Sequence, residues 1–445
     1  MSAAGLPAPE PALVLAHGVG VRADLPVPLE LALVGGAAAV LVSFAALGLL
    51  WPQSRLRGER AGRPLPGWLQ AVVDNPVLVW VLRLLVLALT LVVVVVGLTG
   101  PPETTSNVAP YAFYITFWVG LVPLSLLLGP VWARLNPLRT LHAGLSRLTG
   151  PAPAADRLPA LGYWPAFVAL LVFGWLELAY PDRARPATVG AFLVLYGVAQ
   201  LVAALWFGAG WFARGDAFEV VSTLWARLSP FGRREDGVLV VRNPLDGVDG
   251  LRAERGLAAV VVGLLGITAF DGVTRTQWWQ TGPGVAGDTA VLPATLGLLV
   301  TVLAVAGLYA GATAVASRQG WGGTDGPTQF AASIVPIALG YHVAHYFSLL
   351  LLDGQLTWIL ASDPFQTGAD LFGTAGNRID LTAVSPDTIA GVQVASIVLG
   401  HVLGVVLAHD RAVRLCLPGR SRTSQYPLLA VMVAFTVAGL WLLLG

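Results

Sequence analysis

The sequence predicts an all-α fold: a polytopic integral membrane helix bundle of about ten transmembrane helices, with both termini outside. Three observations support this prediction. Of the 445 residues, 56% are hydrophobic and only 11% are charged, with a mean hydropathy of +0.73. Soluble globular domains carry roughly 25% charged residues. In addition, apolar stretches of about twenty residues, long enough to cross a bilayer as helices, recur along the chain, and arginine is concentrated in alternate connections between them.

Hydropathy divides the chain into ten candidate spans, and proline or glycine stands at most of the junctions, as is typical of helix ends. The predicted spans are 29–51, 76–100, 110–132, 161–180, 187–211, 257–272, 292–316, 329–352, 389–409 and 427–444.

The arginine distribution predicts which connections face the cytoplasm. The loops after spans one, three, five and nine each hold at least four arginines, whereas those after spans two, six and eight hold none or one. Two loops fit less well, because Arg183 and Arg185 follow span four and only Arg318 follows span seven. The alternation predicts a multi-pass protein of the plasma membrane, with the lipid bilayer as its main partner.

Three extramembrane segments accompany the single transmembrane domain, 29–445. Residues 1–28 form a predicted extracytoplasmic segment, in which Ala16 before His17 resembles a degenerate signal-peptide cleavage site. The cytoplasmic segment 212–256 contains DAFEVVSTLWARLSPF, whose apolar spacing predicts an interfacial amphipathic helix. The outer loop 353–388 is long enough to act as a lid or a docking surface.

Ionisable residues inside the spans are the candidate functional residues, because charge at membrane depth is costly and usually serves a function. The candidates are Arg83, Glu177, Asp271, His342, His345 and His401, with Glu30 at the outer edge of span one.

Three of these candidates share one predicted layer. At 1.5 Å per residue, His345 lies about 10 Å, His342 about 15 Å and His401 about 18 Å below the outer surface. His342 and His345 are three positions apart and so share a helix face. Glu177 and Asp271 are near the outer ends of their spans, where they are candidates to close the same site from above.

A histidine layer of this kind predicts a metal site. Imidazole suits Zn, Cu or Fe, and a histidine–carboxylate shell with an open position suits hydrolytic or oxidative chemistry. We therefore take His342, His345 and His401 as metal ligands and Glu177 and Asp271 as catalytic groups. A bis-histidine haem, proton or substrate handling, and histidines that only tie helices together remain alternatives.

The other candidate ligands are few. His17 is predicted to lie on the outer side and is a fourth candidate metal ligand. Cys416 is the only cysteine, which excludes an intrachain disulfide and a thiolate cluster. No basic block suggests nucleic acid binding, and the chain contains neither a phosphate-binding loop nor a Gly-x-Ser-x-Gly elbow.

Several stretches resemble one family across nearly the whole chain. They are AHGVGVRADLPVPLELAL, GWLELAYPD, AFDGVTRTQWW, YHVAHYFSLLL, SDPF followed by DLFGTA, GHVLGVVLAHDRAVRL, and SQYPLLAVMVAFTVAGLWLL. Together these stretches resemble the actinobacterial integral membrane proteins commonly catalogued as fenitrothion hydrolase. The resemblance implies hydrolysis of organophosphate esters, a small apolar substrate and a partner membrane subunit.

The alternative function is a transporter, or an assembly factor that handles a metal or haem, without hydrolytic activity. Two features motivate it: Arg83 within span two, and the repeat of WARLNPLR at 132–139 as WARLSPFGR at 225–233. Both copies also fit a simpler interpretation as tryptophan–arginine interface anchors followed by a helix-ending proline.

Overall fold

A computed structural model describes residues 28–320, 325–416 and 423–444 of the chain. The candidate ligand His17 and the predicted signal-like segment lie outside these ranges, except for the last residue of that segment. The helices of five or more residues are α1 (Leu29–Leu50), α2 (Gly67–Val73), α3 (Pro76–Thr99), α4 (Val108–Leu128, π-helical over Tyr111–Val119), α5 (Val131–Leu135), α6 (Pro137–Thr149), α7 (Trp164–Leu178), α8 (Pro186–Phe207), α9 (Ala217–Ala226), α10 (Pro244–Asp249), α11 (Leu257–Thr274), α12 (Gln277–Thr281), α13 (Val291–Gly320), α14 (Gly326–Leu351), α15 (Gln355–Ala361), α16 (Pro386–Leu415) and α17 (Tyr426–Leu444).

The chain is a multi-pass helical membrane protein. Within the described ranges, nine helices are long and apolar enough to cross a membrane, and a bent pair raises the number to ten. That pair joins Ala155–Leu161 to Trp164–Leu178 at an angle of 68° and replaces the single straight span predicted at 161–180. The prediction of about ten spans is thereby confirmed. The side of the membrane that each loop faces still rests on the arginine distribution.

The small β-structure joins two arginine-rich connections. Strand β1 (Arg63–Pro64) pairs with β3 (Leu239–Val241), and β3 pairs with β2 (Phe231–Arg233), both antiparallel. The loop after α1 and the long segment before α11 are therefore held together at one end of the bundle.

Helix α9 is buried on nearly all sides. Nine of its ten residues are buried, including Phe218 and Trp225. An interfacial amphipathic helix would keep one face in water, so this finding corrects the interpretation drawn from its apolar spacing. Phe218 packs against Phe113 and Phe173 with ring centroids 6.0 and 5.2 Å apart. The polar residues Glu219 and Ser222 of this helix are hydrogen-bonded inside the protein, to Arg139 and Ser125.

Helices α11 and α14 form the centre of the bundle, and α14 packs most extensively on α16. Glycines make that packing close, since small residues let membrane helices approach backbone to backbone. A Cβ atom added to Gly400 would lie 2.5 Å from the carbonyl oxygen of Pro336, and one added to Gly404 would lie 2.8 Å from that of Ser333. The two predicted histidine helices are thus neighbours.

The outer loop at 353–388 is folded by its own side chains. Asp363 accepts hydrogen bonds from the backbone N–H groups of Thr367 and Gly368 at 2.9 and 2.8 Å. Asp370 accepts from the Ser362 hydroxyl at 2.6 Å and from the Ala375 N–H at 3.0 Å. These hydrogen bonds lower the pKa of Asp370, the largest effect coming from Ser362. The carboxylates of this loop therefore hold turns.

Candidate functional site

The candidate site lies where the C-terminal ends of α7, α11 and α14 meet, at the end of the bundle that the arginine distribution predicts to be the outer one. Gly174 of α7 packs directly on Ile267 of α11, since an added Cβ would lie 2.8 Å from the Ile267 Cγ2 atom. One turn further along each helix, this contact brings Glu177 and Asp271 to the same level. Glu177 and Asp271 are 6% and 7% exposed. Both carboxyl groups are therefore enclosed by protein, where each needs polar partners.

Asp271 pairs with His345 of α14. The Nε2 atom of His345 lies 2.5 Å from Asp271 Oδ2, and the Arg275 Nη2 atom lies 2.8 Å from the same ring nitrogen. One imidazole nitrogen cannot donate to a carboxylate and accept from a guanidinium at the same time. A charge-assisted hydrogen bond from Nε2–H to Asp271 is the stronger of the two. Arg275 then pairs with Asp271 itself, at 3.5 Å.

On this basis we assign the proton of neutral His345 to Nε2. With the proton on Nε2, the Nδ1 atom carries the lone pair, and Nδ1 is buried without a hydrogen-bond partner in the described part of the chain. A carboxylate that holds one ring nitrogen and leaves the other as a base is the arrangement used to orient catalytic and proton-transferring histidines.

Tyr346 extends the contacts from Asp271 to Glu177. Its hydroxyl oxygen lies 3.3 Å from Glu177 Oε1 and 3.3 Å from Asp271 Oδ2. A single phenolic O–H donates to one carboxylate at a time, so a proton on either carboxyl completes the second hydrogen bond. Glu177, Tyr346, Asp271 and His345 therefore form one continuous polar chain across three helices, with Arg275 beside it. We call these five residues the outer cluster.

His342 lies one turn deeper in an aromatic environment. Its ring centroid is 5.3 Å from that of Trp118, 6.0 Å from Trp225 and 4.7 Å from Tyr346. Both of its ring nitrogens are buried without a hydrogen-bond partner among the described residues. Leaving a buried polar group unpaired costs about 1–3 kcal/mol. His342 is therefore a costly residue in a purely structural role.

His401 has a different environment from the other two histidines. Its Nδ1–H donates to the carbonyl of Ile397 on its own helix at 2.8 Å, and its Nε2 has no partner in the described ranges. Over the same ranges, no hydrogen bond or ring contact joins His401 to His342 or His345. Equal depth in the membrane therefore does not place the third histidine in the outer cluster.

The described residues do not assemble the predicted metal shell. Across 28–320, 325–416 and 423–444, no group of three or more His, Cys, Asp or Glu side chains is arranged to hold a metal ion. The short contact between His345 and Asp271 also occupies the nitrogen and the oxygen that would face a shared ion. As arranged, these side chains fit a hydrogen-bonded cluster better than a coordination shell.

Several members of the site were not identified from the sequence. Arg275 was counted only as a loop arginine, although it stands four residues after Asp271, the spacing of a helical ion pair. Tyr346 and Trp118 were not singled out, and Trp225, interpreted from WARLSPFGR as an interface anchor, is instead buried beside His342. The Tyr that directly follows the second histidine in YHVAHY was the available signal for Tyr346.

A second polar cluster lies at the opposite, arginine-rich end of the bundle, around the start of α9. Asp216 accepts from the Tyr196 hydroxyl and from Asn136 Nδ2, both at 2.7 Å. Glu219 pairs with Arg139 through two hydrogen bonds, of 2.5 and 2.7 Å. Burial raises the pKa of Asp216 to about 6, although its hydrogen bonds oppose the shift. An acidic residue three positions before another, at the start of an apolar run, was the sequence signal for this cluster.

Comparison with models of known protein families, with curated proteins and with solved structures finds no match to this chain.

Proposed function

We propose that the outer cluster binds and transfers protons, and that the protein is a membrane transporter that conducts protons. One observation carries the proposal: Glu177, Tyr346, Asp271 and His345 lie in continuous hydrogen-bonding contact inside the bundle. Chains of Asp, Glu and His within membrane spans are the usual proton relays of pumps and transporters.

The relay follows from the shared hydrogen bonds. When Glu177 carries a proton, it donates to the Tyr346 oxygen, and Tyr346 donates to Asp271. When the proton has moved to Asp271, Tyr346 donates to Glu177 instead. Each transfer moves a proton by the length of one hydrogen bond and leaves every heavy atom in place.

The net charge of the outer cluster depends on whether it holds a proton. Two carboxylates and one guanidinium leave the cluster with one negative charge, and a single bound proton makes it neutral. Because an unpaired charge is costly inside a membrane protein, the cluster favours holding one proton. The unpartnered Nδ1 atom of His345 provides a second place for a proton to arrive or leave.

The test is a proton-flux assay in proteoliposomes. A potassium diffusion potential drives protons inward, and a trapped pH indicator reports the rate. We expect wild-type vesicles to acidify faster than protein-free vesicles, and Glu177→Gln to reduce the rate to the protein-free level. Glu30→Gln, at an exposed position on α1, is the matched control and should acidify like wild type. Equal rates for wild type and Glu177→Gln would contradict the proposal.

A second candidate is ester hydrolysis, which the resemblance to the fenitrothion hydrolase family implies. It is supported by Asp271 orienting His345 with a base nitrogen left over. His345 Nδ1 would take a proton from water as the water oxygen attacks phosphorus, and the aryloxide would leave. Because the fit to a metal shell fails for the described residues, no step of this scheme uses a metal.

Two measurements separate the candidates. A phosphorothioate triester assay should detect aryl alcohol release by wild type that His345→Ala abolishes, if hydrolysis is the function. Metal analysis of purified protein tests the sequence-based metal site independently. Zn, Cu or Fe near one per chain that His342→Ala removes would support it.

A further inference from the structure

Arg83 is an arginine on a lipid-facing helix. It stands seven residues after the start of α3, about 10 Å along the helix axis. Its neighbours Val81, Leu84 and Leu85 are 56%, 56% and 52% exposed, so this part of α3 faces lipid. An arginine at such a position extends its guanidinium toward the membrane surface.

The guanidinium of Arg83 has no acidic partner in the described part of the chain. Its Nε–H donates to the backbone carbonyl of Arg134 at 2.7 Å, and its carbon lies 5.4 Å from the Trp80 ring centroid. Over the described ranges, its two terminal nitrogens make no hydrogen bond or ion pair with protein. Four N–H donors of Arg83 are therefore open to a ligand from the membrane side.

Two more arginines surround the same point and share one carboxylate. Arg134 pairs with Asp74 at 3.3 Å, and Arg233 of β2 pairs with the same Asp74 oxygen. Three guanidinium groups against one carboxylate leave two positive charges. The side chains of Arg134 and Arg233 are 37% and 30% exposed, so both remain accessible. We call Arg83, Arg134, Arg233 and Asp74 the arginine cluster.

The positive charges of the arginine cluster act on one another. The pKa of Arg134 is lowered by burial first, then by the charge of Arg233 and, more weakly, by Arg83, while Asp74 acts in the opposite direction. Asp74 therefore does not neutralise the site. A single phosphate anion would remove one of the two remaining positive charges.

The surface around the arginine cluster belongs to the membrane interface. Trp80 is 41% exposed, and Trp68 on the short helix α2 is 68% exposed. Exposed tryptophans mark the level of lipid headgroups. The arginine distribution assigns this end of the bundle to the cytoplasm, where the leaflet is rich in anionic lipid.

We propose that the arginine cluster binds the phosphate headgroup of an anionic phospholipid in the inner leaflet. The three guanidinium groups hold the phosphate oxygens, as arginine clusters do elsewhere. The exposed faces of Trp80 and Leu84 contact the acyl chains. The arginine cluster shares no residue with the outer cluster, so this proposal does not depend on the proposal of proton transfer.

The experiment compares lipids in nanodiscs that contain the full chain. Native mass spectrometry measures retention of phosphatidylglycerol relative to phosphatidylcholine for wild type, Arg83→Gln and Arg157→Gln. Arg157 is an exposed arginine of the same end, outside the cluster, and gives the same loss of charge. Since one arginine near a membrane surface contributes about 1 kcal/mol to anionic lipid binding, Arg83→Gln should lower the preference about fivefold. Arg157→Gln should leave it unchanged.

Asp74→Asn is a second variant with the opposite expectation. It removes the one acid of the cluster, so the phosphatidylglycerol preference should rise. This variant decides the question even if Arg83→Gln does not fold. The proposal would be overturned by equal preferences in wild type and Arg83→Gln, or by a lower preference in Asp74→Asn. It would also be overturned if inorganic phosphate, added to the protein in pure phosphatidylcholine, raised the unfolding temperature as much as phosphatidylglycerol does.

Discussion

Asp271 is the residue on which the outer cluster depends most. It contacts His345 at 2.5 Å, Tyr346 at 3.3 Å and Arg275 at 3.5 Å. Each of these partners carries a hydrogen-bond donor, and burying a donor without an acceptor is costly. The Asp271 carboxylate thus orients the imidazole of His345, accepts a hydrogen bond from the Tyr346 hydroxyl and compensates the positive charge of Arg275.

Asp271→Asn should lower the free energy of unfolding by about 2–4 kcal/mol, because it leaves Arg275 without its carboxylate and loses the orientation of His345. Chemical unfolding in detergent micelles measures the change. Asp387→Asn, exposed in the first turn of α16, is the control and should shift stability by less than about 0.5 kcal/mol. A loss at Asp271 no larger than that at Asp387 would contradict the described pairing.

His342→Phe should leave stability unchanged or raise it by about 1 kcal/mol, because an apolar ring of similar shape removes two unpartnered nitrogens. The same unfolding assay tests this. His345→Phe is the matched comparison and should be destabilising, since it removes the partner of Asp271. If His342→Phe costs as much as His345→Phe, then His342 has a polar partner that this account lacks.

At the scale of elements, close packing of α14 on α16 determines how the central helices lie. Gly400 meets the carbonyl of Pro336, whereas Gly391 on the same helix has nothing within 4 Å of an added Cβ. The two glycines thus differ in packing but share a helix. Alanine substitutions at the two positions therefore distinguish a steric clash between helices from a change in helix propensity.

Gly400→Ala should destabilise the protein by about 1–3 kcal/mol, because the new methyl group forces the helices apart. Gly391→Ala should be neutral or stabilising by up to about 1 kcal/mol, because alanine favours helix. Thermal unfolding of both variants gives the comparison. Similar effects at the two positions would mean that α14 and α16 are not packed at Gly400 as described.

Asp216, at the start of α9, makes the stability of the protein depend on pH. The pKa of Asp216 is raised, so its contribution to stability is full below pH 3.8 and is lost as pH rises through about 6. We expect the unfolding temperature to fall across this window in wild type. Asp216→Asn should remove that slope, whereas Asp156→Asn, at an exposed position, should retain it. An unchanged slope in Asp216→Asn would exclude Asp216 as its source.

At the scale of the whole molecule, the sequence predicts the spans well because the bilayer acts on each segment separately. Apolar length alone locates α1, α3 and α13, whose side chains face mostly outward. The spacing of 216–226 predicts a water-facing polar side, but Asp216 and Glu219 find their partners Tyr196 and Arg139 inside the bundle. Helical spacing records which residues share a face, but not what covers that face.

The candidate site was predictable only in part, for a related reason. Depth along a helix follows from residue number, and it correctly grouped Glu177, Asp271 and His345. Rotation about the helix axis does not follow from residue number, so depth alone also suggested His401, whose ring bonds to its own helix instead of joining the cluster. Tyr346 joins the cluster through contacts with two other helices, which no single span reveals, whereas the four-residue spacing of Asp271 and Arg275 could be read from the sequence.

The central claim is that the outer cluster holds an exchangeable proton, and infrared difference spectroscopy during a pH titration in nanodiscs tests it most directly. The account predicts a reversible carboxylic-acid C=O band that Glu177→Gln or Asp271→Asn removes or shifts and that Glu30→Gln leaves in place. A band that survives both Glu177→Gln and Asp271→Asn unchanged, or no titrating band in folded wild-type protein, would contradict the account.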